Sequence, residues 1–266
     1  MLIHFYKYQG TGNDFVMIDD RSETFPQDTT LVAKLCHRRF GIGADGLILL
    51  QNHPEYDFRM VYFNADGKKG SMCGNGGRCT VQFAKDLGVI ADSTTFEAAD
   101  GRHEAHVKDG LIHLKMGDVH QVKHMPAYDF LNTGSPHYVA FVDKLSELDV
   151  VGKGKAIRYD SVFAPGGTNV NFVEQLSDNT LFVRTYERGV EDETYSCGTG
   201  VTACALAASA RHLQSPVNIK TLGGNLQVAF QSSSPEQFTN IYLIGPAQKV
   251  YEGTIEVGEQ SFISGH

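Results

Sequence analysis

Apolar and polar positions alternate from the start of the chain through Ile3, Phe5 and Tyr8, break at Gly10-Thr11-Gly12-Asn13-Asp14, and resume as Phe15-Val16-Met17-Ile18. A period of two predicts strands, and the polar break predicts a hairpin-like turn between them. Residues 29–39 carry Leu31, Val32 and Leu35 at helical spacing and stop at Gly41, so a helix is expected there. Residues 47–50 read as a buried strand. Towards the other end, 217–222, 225–230 and 240–244 read as strands punctuated by Gly223-Gly224 and Gly245-Pro246.

The most informative pattern is a long-range echo. Phe58-Arg59-Met60-Val61-Tyr62-Phe63-Asn64 is followed by a turn, then by Cys73-Gly74-Asn75-Gly76 and a helical stretch over 78–87. Leu181-Phe182-Val183-Arg184-Thr185-Tyr186-Glu187-Arg188 is followed by a turn, then by Cys197-Gly198-Thr199-Gly200 and a helical stretch over 201–212. Asn64 and Arg188 each precede their cysteine by nine positions, and the two cysteines stand 124 positions apart. A Cys-Gly-x-Gly tetrad alone is weak in a chain with 28 glycines, but matched flanks and spacing make it a pseudo-repeat of two lobes.

Composition narrows the function. At 266 residues, 41% hydrophobic and 20% charged, the chain suits one large or two smaller packed domains. A formal net charge of −8 without a Lys/Arg block gives no footprint for nucleic acid or an anionic membrane, so a small solute is the expected partner. The first residues lack the features of a signal peptide, and no apolar run approaches the ~20 residues of a membrane span, so a cytoplasmic location is expected. Five cysteines, an odd number, are expected to be free thiols.

Placement separates those thiols. Cys36, Cys79 and Cys204 lie in apolar helical stretches and read as small buried hydrophobes. Cys73 and Cys197 lie in glycine-rich turns at expected helix starts. Glycines just ahead of a helix admit a ligand close to the backbone, first-turn N–H groups bind a carboxylate, and the same field favours a thiolate. Two such sites meet the needs of inverting a stereocentre, with one ionised and one protonated group on opposite faces of a carbon. Helix N–H donors would stabilise the carbanion-like charge, so that no cofactor is required. A redox or zinc protein is the rival class, but no Cys-x-x-Cys occurs and Cys73/Cys79 and Cys197/Cys204 are poorly spaced for a closed zinc site, so no metal is expected. A non-catalytic amino-acid binder would need only the anion sites.

At Gly10-Thr11-Gly12-Asn13-Asp14-Phe15, Gly41-Ile42-Gly43-Ala44-Asp45-Gly46, Phe63-Asn64-Ala65-Asp66-Gly67, Met72-Cys73-Gly74-Asn75-Gly76, Glu187-Arg188-Gly189 and Cys197-Gly198-Thr199-Gly200, the chain resembles the diaminopimelate epimerase family. Gly245-Pro246-Ala247 and Tyr251-Glu252-Gly253 extend the likeness over essentially the whole chain. The resemblance implies a mixed α/β (α+β) fold of two pseudo-symmetric lobes, each a curved, mostly antiparallel sheet around a central helix, with the site in the cleft between them. Residues 1–118 would carry Cys73 and 119–251 Cys197, with a tail over about 252–266 packed back on the first lobe.

By position, the resemblance implies that Cys73 and Cys197 are the acid/base pair and that His137 and Glu187 set their protonation. Gly74, Asn75, Gly198 and Thr199 would cradle the reacting carboxylate. Asn13, Asn64, Asn169, Glu187 and Arg188 would bind the rest of a substrate with two amino-acid ends, Arg188 taking the distal carboxylate and Glu187 an ammonium. The nearest rival is another isomerase of the same fold, proline racemase-like or phenazine-biosynthesis-like, but proline lacks the distal amino-acid end that Arg188 and Glu187 would serve. A homodimer is expected from the family alone. Ser135 stands where many relatives carry Asn, and Gly46 where some carry Gln.

Overall fold

The computed structural model describes residues 1–177 and 179–258. The chain divides into two compact units, Met1–Leu114 with Pro246–His266, and Lys115–Gly245. These divisions fall a few residues before 118/119 and 251/252, the points read from the sequence. Of the tail expected over 252–266, residues 259–266 lie outside the described residues.

In the first unit, β1 (Leu2–Gly10) and β2 (Asn13–Asp19) pair antiparallel out to Gly10 opposite Asn13. The two turn residues, Thr11 at φ 48° and Gly12 at φ 85°, are both left-handed, the conformation that suits a two-residue hairpin and delivers Asn13 at the first position of β2. Next come β3 (Gly46–Gln51), parallel to β2, β4 (Phe58–Asn64), antiparallel to β3, and β5 (Ser93–Ala98), parallel to β4. β6 (Gly101–Lys108) and β7 (Leu111–Lys115) continue antiparallel, and the C-terminal strand Gln248–Glu256 returns antiparallel to β1.

Two helices use opposite faces of this sheet. Helix α1 (Thr29–Cys36) joins β2 to β3 and packs Leu31, Val32 and Leu35 with Val16, Ile18, Leu47 and Leu49. The alternate residues Phe15, Met17, Ile48 and Leu50 must then face the other way, and they are also buried. Helix α2 (Gly74–Asp86), between β4 and β5, fills that side: a Cβ built on Gly76 would lie 3.2 Å from Ile48 Cδ1 and 3.5 Å from Phe15 Cζ. Burial on both faces is why these strands read as apolar runs rather than alternations.

The second unit holds β8 (Val122–His124), β9 (Asp129–Asn132), β10 (Pro136–Phe141), β11 (Asn169–Ser177), β12 (Thr180–Glu187), β13 (Asp192–Thr194), β14 (Val217–Thr221), β15 (Gly224–Ser234) and β16 (Gln237–Gly245). Helix α3 (Val150–Arg158) joins β10 to β11 and packs Val150 with Val170 and Phe172, while α4 (Gly198–Ala208) lies between β12 and β14. Along β8-β9-β10-β11-β12-β14-β15-β16 the described pairings run antiparallel, antiparallel, parallel, antiparallel, parallel, antiparallel, antiparallel. The first unit gives the same order from its C-terminal strand through β1 to β7. The sequence echo is therefore a repeat of topology.

Helix limits differ from the periodicity. Helices α2 and α4 begin at Gly74 and Gly198, not at 78 and 201, so the glycines form the first turn instead of preceding it. Glycine's low helix propensity hid this, since tertiary burial outweighs about 1 kcal/mol per residue. Helix α1 ends at Cys36, not at 39, because the His37 ring accepts from the backbone N–H groups of Arg39 and Phe40 and bends the chain away.

Candidate active site

Cys73 and Cys197 are the N-cap residues of α2 and α4. Each is extended, at φ −119°, ψ 127° and φ −108°, ψ 112°, and neither side chain caps its helix. An α-helix leaves its first N–H groups outside its own ladder, so each sulfur stands beside a ready anion site. Cys73 is half-buried and Cys197 is 6% exposed.

Around Cys73 the partners are amides. Its thiol meets Asn13 Oδ1 at 3.6 Å, and Asn75 Nδ2 donates to that same oxygen at 3.3 Å. Asn13 Nδ2 donates to the Asp45 carboxylate at 2.7 Å, which fixes which end of the amide faces the sulfur. Asn75 is fixed in turn by Arg78, whose Nη2 donates to Asn75 Oδ1 at 3.0 Å and to Thr11 Oγ1 at 3.2 Å. Arg78 is fully buried, and its remaining described bonds go to the carbonyls of Gly74 and Pro246. Among the described residues no carboxylate pairs with it, and burial draws the guanidinium below its ordinary pKa while the neighbouring Cys79 and Cys73 thiols oppose that.

Around Cys197 the partners are hydroxyls. Cys197 Sγ lies 3.5 Å from Thr199 Oγ1, which lies 3.4 Å from Ser135 Oγ, which lies 3.0 Å from His137 Nε2. His137 is fully buried, and burial, with Arg188's charge second, pulls it from 6.5 to about 3, so the ring is neutral. Asn169 Nδ2 donates to Ser135 Oγ at 3.0 Å, and Asn169 Oδ1 accepts from the Arg188 backbone N–H at 2.9 Å. His137, Asn169, Thr199, Cys197 and the Arg188 backbone thus meet through Ser135, which the sequence marked only as a departure.

Two charged groups stand at the end of β12. The Arg188 guanidinium makes one hydrogen bond, to the Gly166 carbonyl at 3.4 Å, and no ion pair among the described residues. It retains donors for a carboxylate. Glu187 accepts from Thr194 Oγ1 at 2.9 Å, and burial raises it above the ordinary carboxyl range. No described hydrogen bond joins Glu187 to His137 or to a thiol. Asn64 is exposed at the end of β4 and shares no described hydrogen bond with Cys73.

Gly46 admits no side chain: a Cβ would lie 2.4 Å from Tyr62 Cε2 and 2.6 Å from the Phe63 carbonyl, so the Tyr62 ring takes that space. Cys36, Cys79 and Cys204 are buried, and burial pushes Cys36 and Cys79 up to about 12 and Cys204 well above its ordinary value. Sequence reasoning missed Thr11, Asp45, Arg78 and Asn171. For Asn171 a signal existed: Asn169 and Asn171, two apart on one strand, share a face. Among the described residues no group of three His, Cys, Asp or Glu side chains is placed to hold a metal ion.

The diaminopimelate epimerase family model matches residues 5–122 and 130–250. The diaminopimelate epimerase of Flavobacterium psychrophilum is 54% identical over 254 residues, covering 94% of this chain and 99% of that protein. That of Aquifex aeolicus is 40% identical, covering 95% and 98%. Among solved structures, a Bacillus anthracis phenazine biosynthesis protein of the PhzF family superposes with a TM-score of 0.75 at 15% identity, covering 97% of this chain and all of that one. A probable proline racemase from Agrobacterium radiobacter gives 0.67 at 15% identity, covering 98% and 95%. At such identities these two show a shared fold.

Proposed function

Because the chain belongs to the diaminopimelate epimerase family, we propose that it interconverts LL- and meso-diaminopimelate with Cys73 and Cys197 as the two acid/base groups of one α-carbon, one removing its proton and the other supplying a new one. The enzyme is an isomerase. The thiolate of one cysteine takes the α-proton, breaking C–H and forming S–H. The other thiol then returns a proton to the opposite face, breaking S–H and forming C–H, so nothing is consumed. This requires both thiols to reach the same carbon.

The observation that carries the reading is the repeat itself: each unit places a thiol at the N-cap of its central helix, at the same point in the same strand order. The first-turn N–H groups of Gly74, Asn75, Gly198 and Thr199 hold the reacting carboxylate, where they stabilise the charge that develops on proton loss. The distal amino-acid end is bound by Arg188 to its carboxylate, with Glu187, Asn13, Asn64 and Asn169 serving the remaining polar groups. His137 and Glu187 bias the protonation of the thiols. No cofactor or metal takes part.

The same reading gives a cytoplasmic homodimer that supplies lysine and peptidoglycan precursors, with neither nucleic acid nor membrane as partner. The acidic net charge argues against a nucleic-acid or anionic-membrane partner, and among the described residues no helix is long and apolar enough to cross a membrane. The test is incubation with LL-diaminopimelate, with proline and glutamate as controls, following the isomer ratio. Conversion of diaminopimelate alone is expected; racemisation of proline in its place contradicts the assignment.

A further inference from the structure

Strand β11 turns Val170 and Phe172 towards α3 and Val173 towards α4, so Asn169 and Asn171 belong to the α4 side. Asn171 is fully buried, with every polar atom engaged. Its Nδ2 donates to the Tyr138 carbonyl at 2.9 Å and to His137 Nδ1 at 3.1 Å, while Oδ1 accepts from Thr185 Oγ1 at 2.9 Å. A carbonyl accepts only, so the amide cannot be turned round without setting two acceptors against each other. His137 Nδ1 is therefore an acceptor, and the single proton of the neutral ring sits on Nε2, facing Ser135.

The direction then propagates. Ser135 Oγ accepts from His137 Nε2 at 3.0 Å and from Asn169 Nδ2 at 3.0 Å, which fills its lone pairs. Its one proton is left for Thr199 Oγ1 at 3.4 Å, and the Thr199 proton for Cys197 Sγ at 3.5 Å. These last two contacts are the longest of the series. Cys197 thus receives a hydrogen bond, which favours a thiolate, whereas Cys73 faces the Asn13 oxygen, an acceptor, which favours a thiol.

We propose that Asn171 is a positioning residue for the Cys197 half of the site, setting the His137 tautomer and so the direction of a His137–Ser135–Thr199 relay that makes Cys197 the thiolate of the resting pair. This rests on the two-thiol reading above and adds which thiol carries the proton first.

The surrounding charges are compatible with this order. Packed around α4 are Cys204 on the helix, neutral His137 on β10, Asp129 on β9, and Glu187 and Arg188 at the end of β12, while β11, β14, β15 and β16 turn Val173, Ile219, Val228 and Leu243 inward. Around Cys73 are Arg78 and Cys79 on α2 and Asp45 beyond Asn13, while Asp14 on β2, paired with Lys7 and Arg38 at 2.7 Å each, acts on Cys79. Arg78 favours a thiolate at Cys73, but its described hydrogen bonds go to Asn75, Thr11, Gly74 and Pro246 and none of these reaches the sulfur. Gly200 keeps the relay intact from the other side, since a Cβ there would lie 2.5 Å from Asn171 Oδ1.

The test is the pH dependence of alkylation by iodoacetamide, read separately for the Cys73 and Cys197 peptides by mass spectrometry on the full chain without substrate. In the unmodified protein Cys197 should reach half-maximal reactivity at lower pH than Cys73; the reverse order overturns the proposal. Asn171→Asp, which removes the donor to His137, and Ser135→Ala, which cuts the relay at a half-buried hydroxyl, should each slow Cys197 alkylation about tenfold at a pH below its midpoint, leave Cys73 unmoved, and in the second case be rescued by Ser135→Thr. An unshifted Cys197 profile in a folded variant also overturns it. Because the assay needs no turnover, a protein that fails to convert diaminopimelate sinks the reaction proposed above without deciding the relay.

Discussion

The starts of α2 and α4 are the same backbone device wired in two ways. Both are glycine-rich first turns behind an extended cysteine, but Cys73 is backed by amides locked to a buried guanidinium and Cys197 by hydroxyls locked to a buried neutral imidazole. The 124-residue repeat aligns Arg78 with Thr202, whose hydroxyl only closes back on the Gly198 carbonyl at 2.9 Å. Duplicated topology thus preserves the helix field at each sulfur while the side chains around it diverge. A reaction that needs one acid and one base does not depend on such divergence, since two coupled groups can share a single proton, but divergent surroundings decide which thiol holds it.

The largest expected effect treats the two starts as equals. Cys73→Ala and Cys197→Ala should each lower turnover by about 10²–10⁴-fold, the usual contribution of a positioned acid or base, measured as isomer conversion from either stereoisomer. Full activity in either variant breaks the pairing. Next comes stability, where the starts should differ. Arg78→Met strands three buried acceptors and one part-buried one and should cost about 3 kcal/mol in urea unfolding, whereas Thr202→Val removes one local bond and should cost about 1 kcal/mol. Equal losses would mean that Arg78 does not organise its helix start.

The smallest effect is the response to acid. His137 is held near 3, below its ordinary 6.5, so the unfolded chain takes up its proton first and the second unit loses stability as pH falls from 6.5 towards about 3. Asp14 differs in sign and window: burial raises it, but Arg38 and Lys7 outweigh burial and hold it at about 2, so its stabilisation is present above 3.8 and fades as pH falls through about 2. Amide exchange measured against pH should show protection in β10 and β11 weakening before protection in β1 and β2, and His137→Gln should remove that lead.

Much of this arrangement is legible in the order of the amino acids alone. The spacing of Cys73 and Cys197 from their flanking strands marks two equivalent helix starts, and the apolar helical surroundings of Cys36, Cys79 and Cys204 mark those thiols as core. Partners decided by tertiary burial leave no such trace. Arg78 reads as an ordinary helix residue because no local pattern says that a guanidinium will be enclosed, and Asn171 reads as part of a strand because its three partners come from β10 and β12. Helix limits fail at Gly74 and Gly198 for the same reason, since local propensity cannot register a first turn fixed by packing.

The central claim is that two thiols serve opposite faces of one α-carbon, one taking a proton and the other giving one, and deuterium order tests it most directly. The enzyme is mixed with unlabelled LL-diaminopimelate in deuterated water, and the earliest samples are read for label at the α-carbon in substrate and product separately. A proton taken by one thiol can only return to the face it left, while the product receives its proton from the other, solvent-equilibrated thiol. The expected result is that the meso product carries deuterium from the first measurable turnover while the remaining LL substrate is still unlabelled. Label appearing in both at the same rate would mean a single base serving both faces, and would contradict the two-thiol transfer.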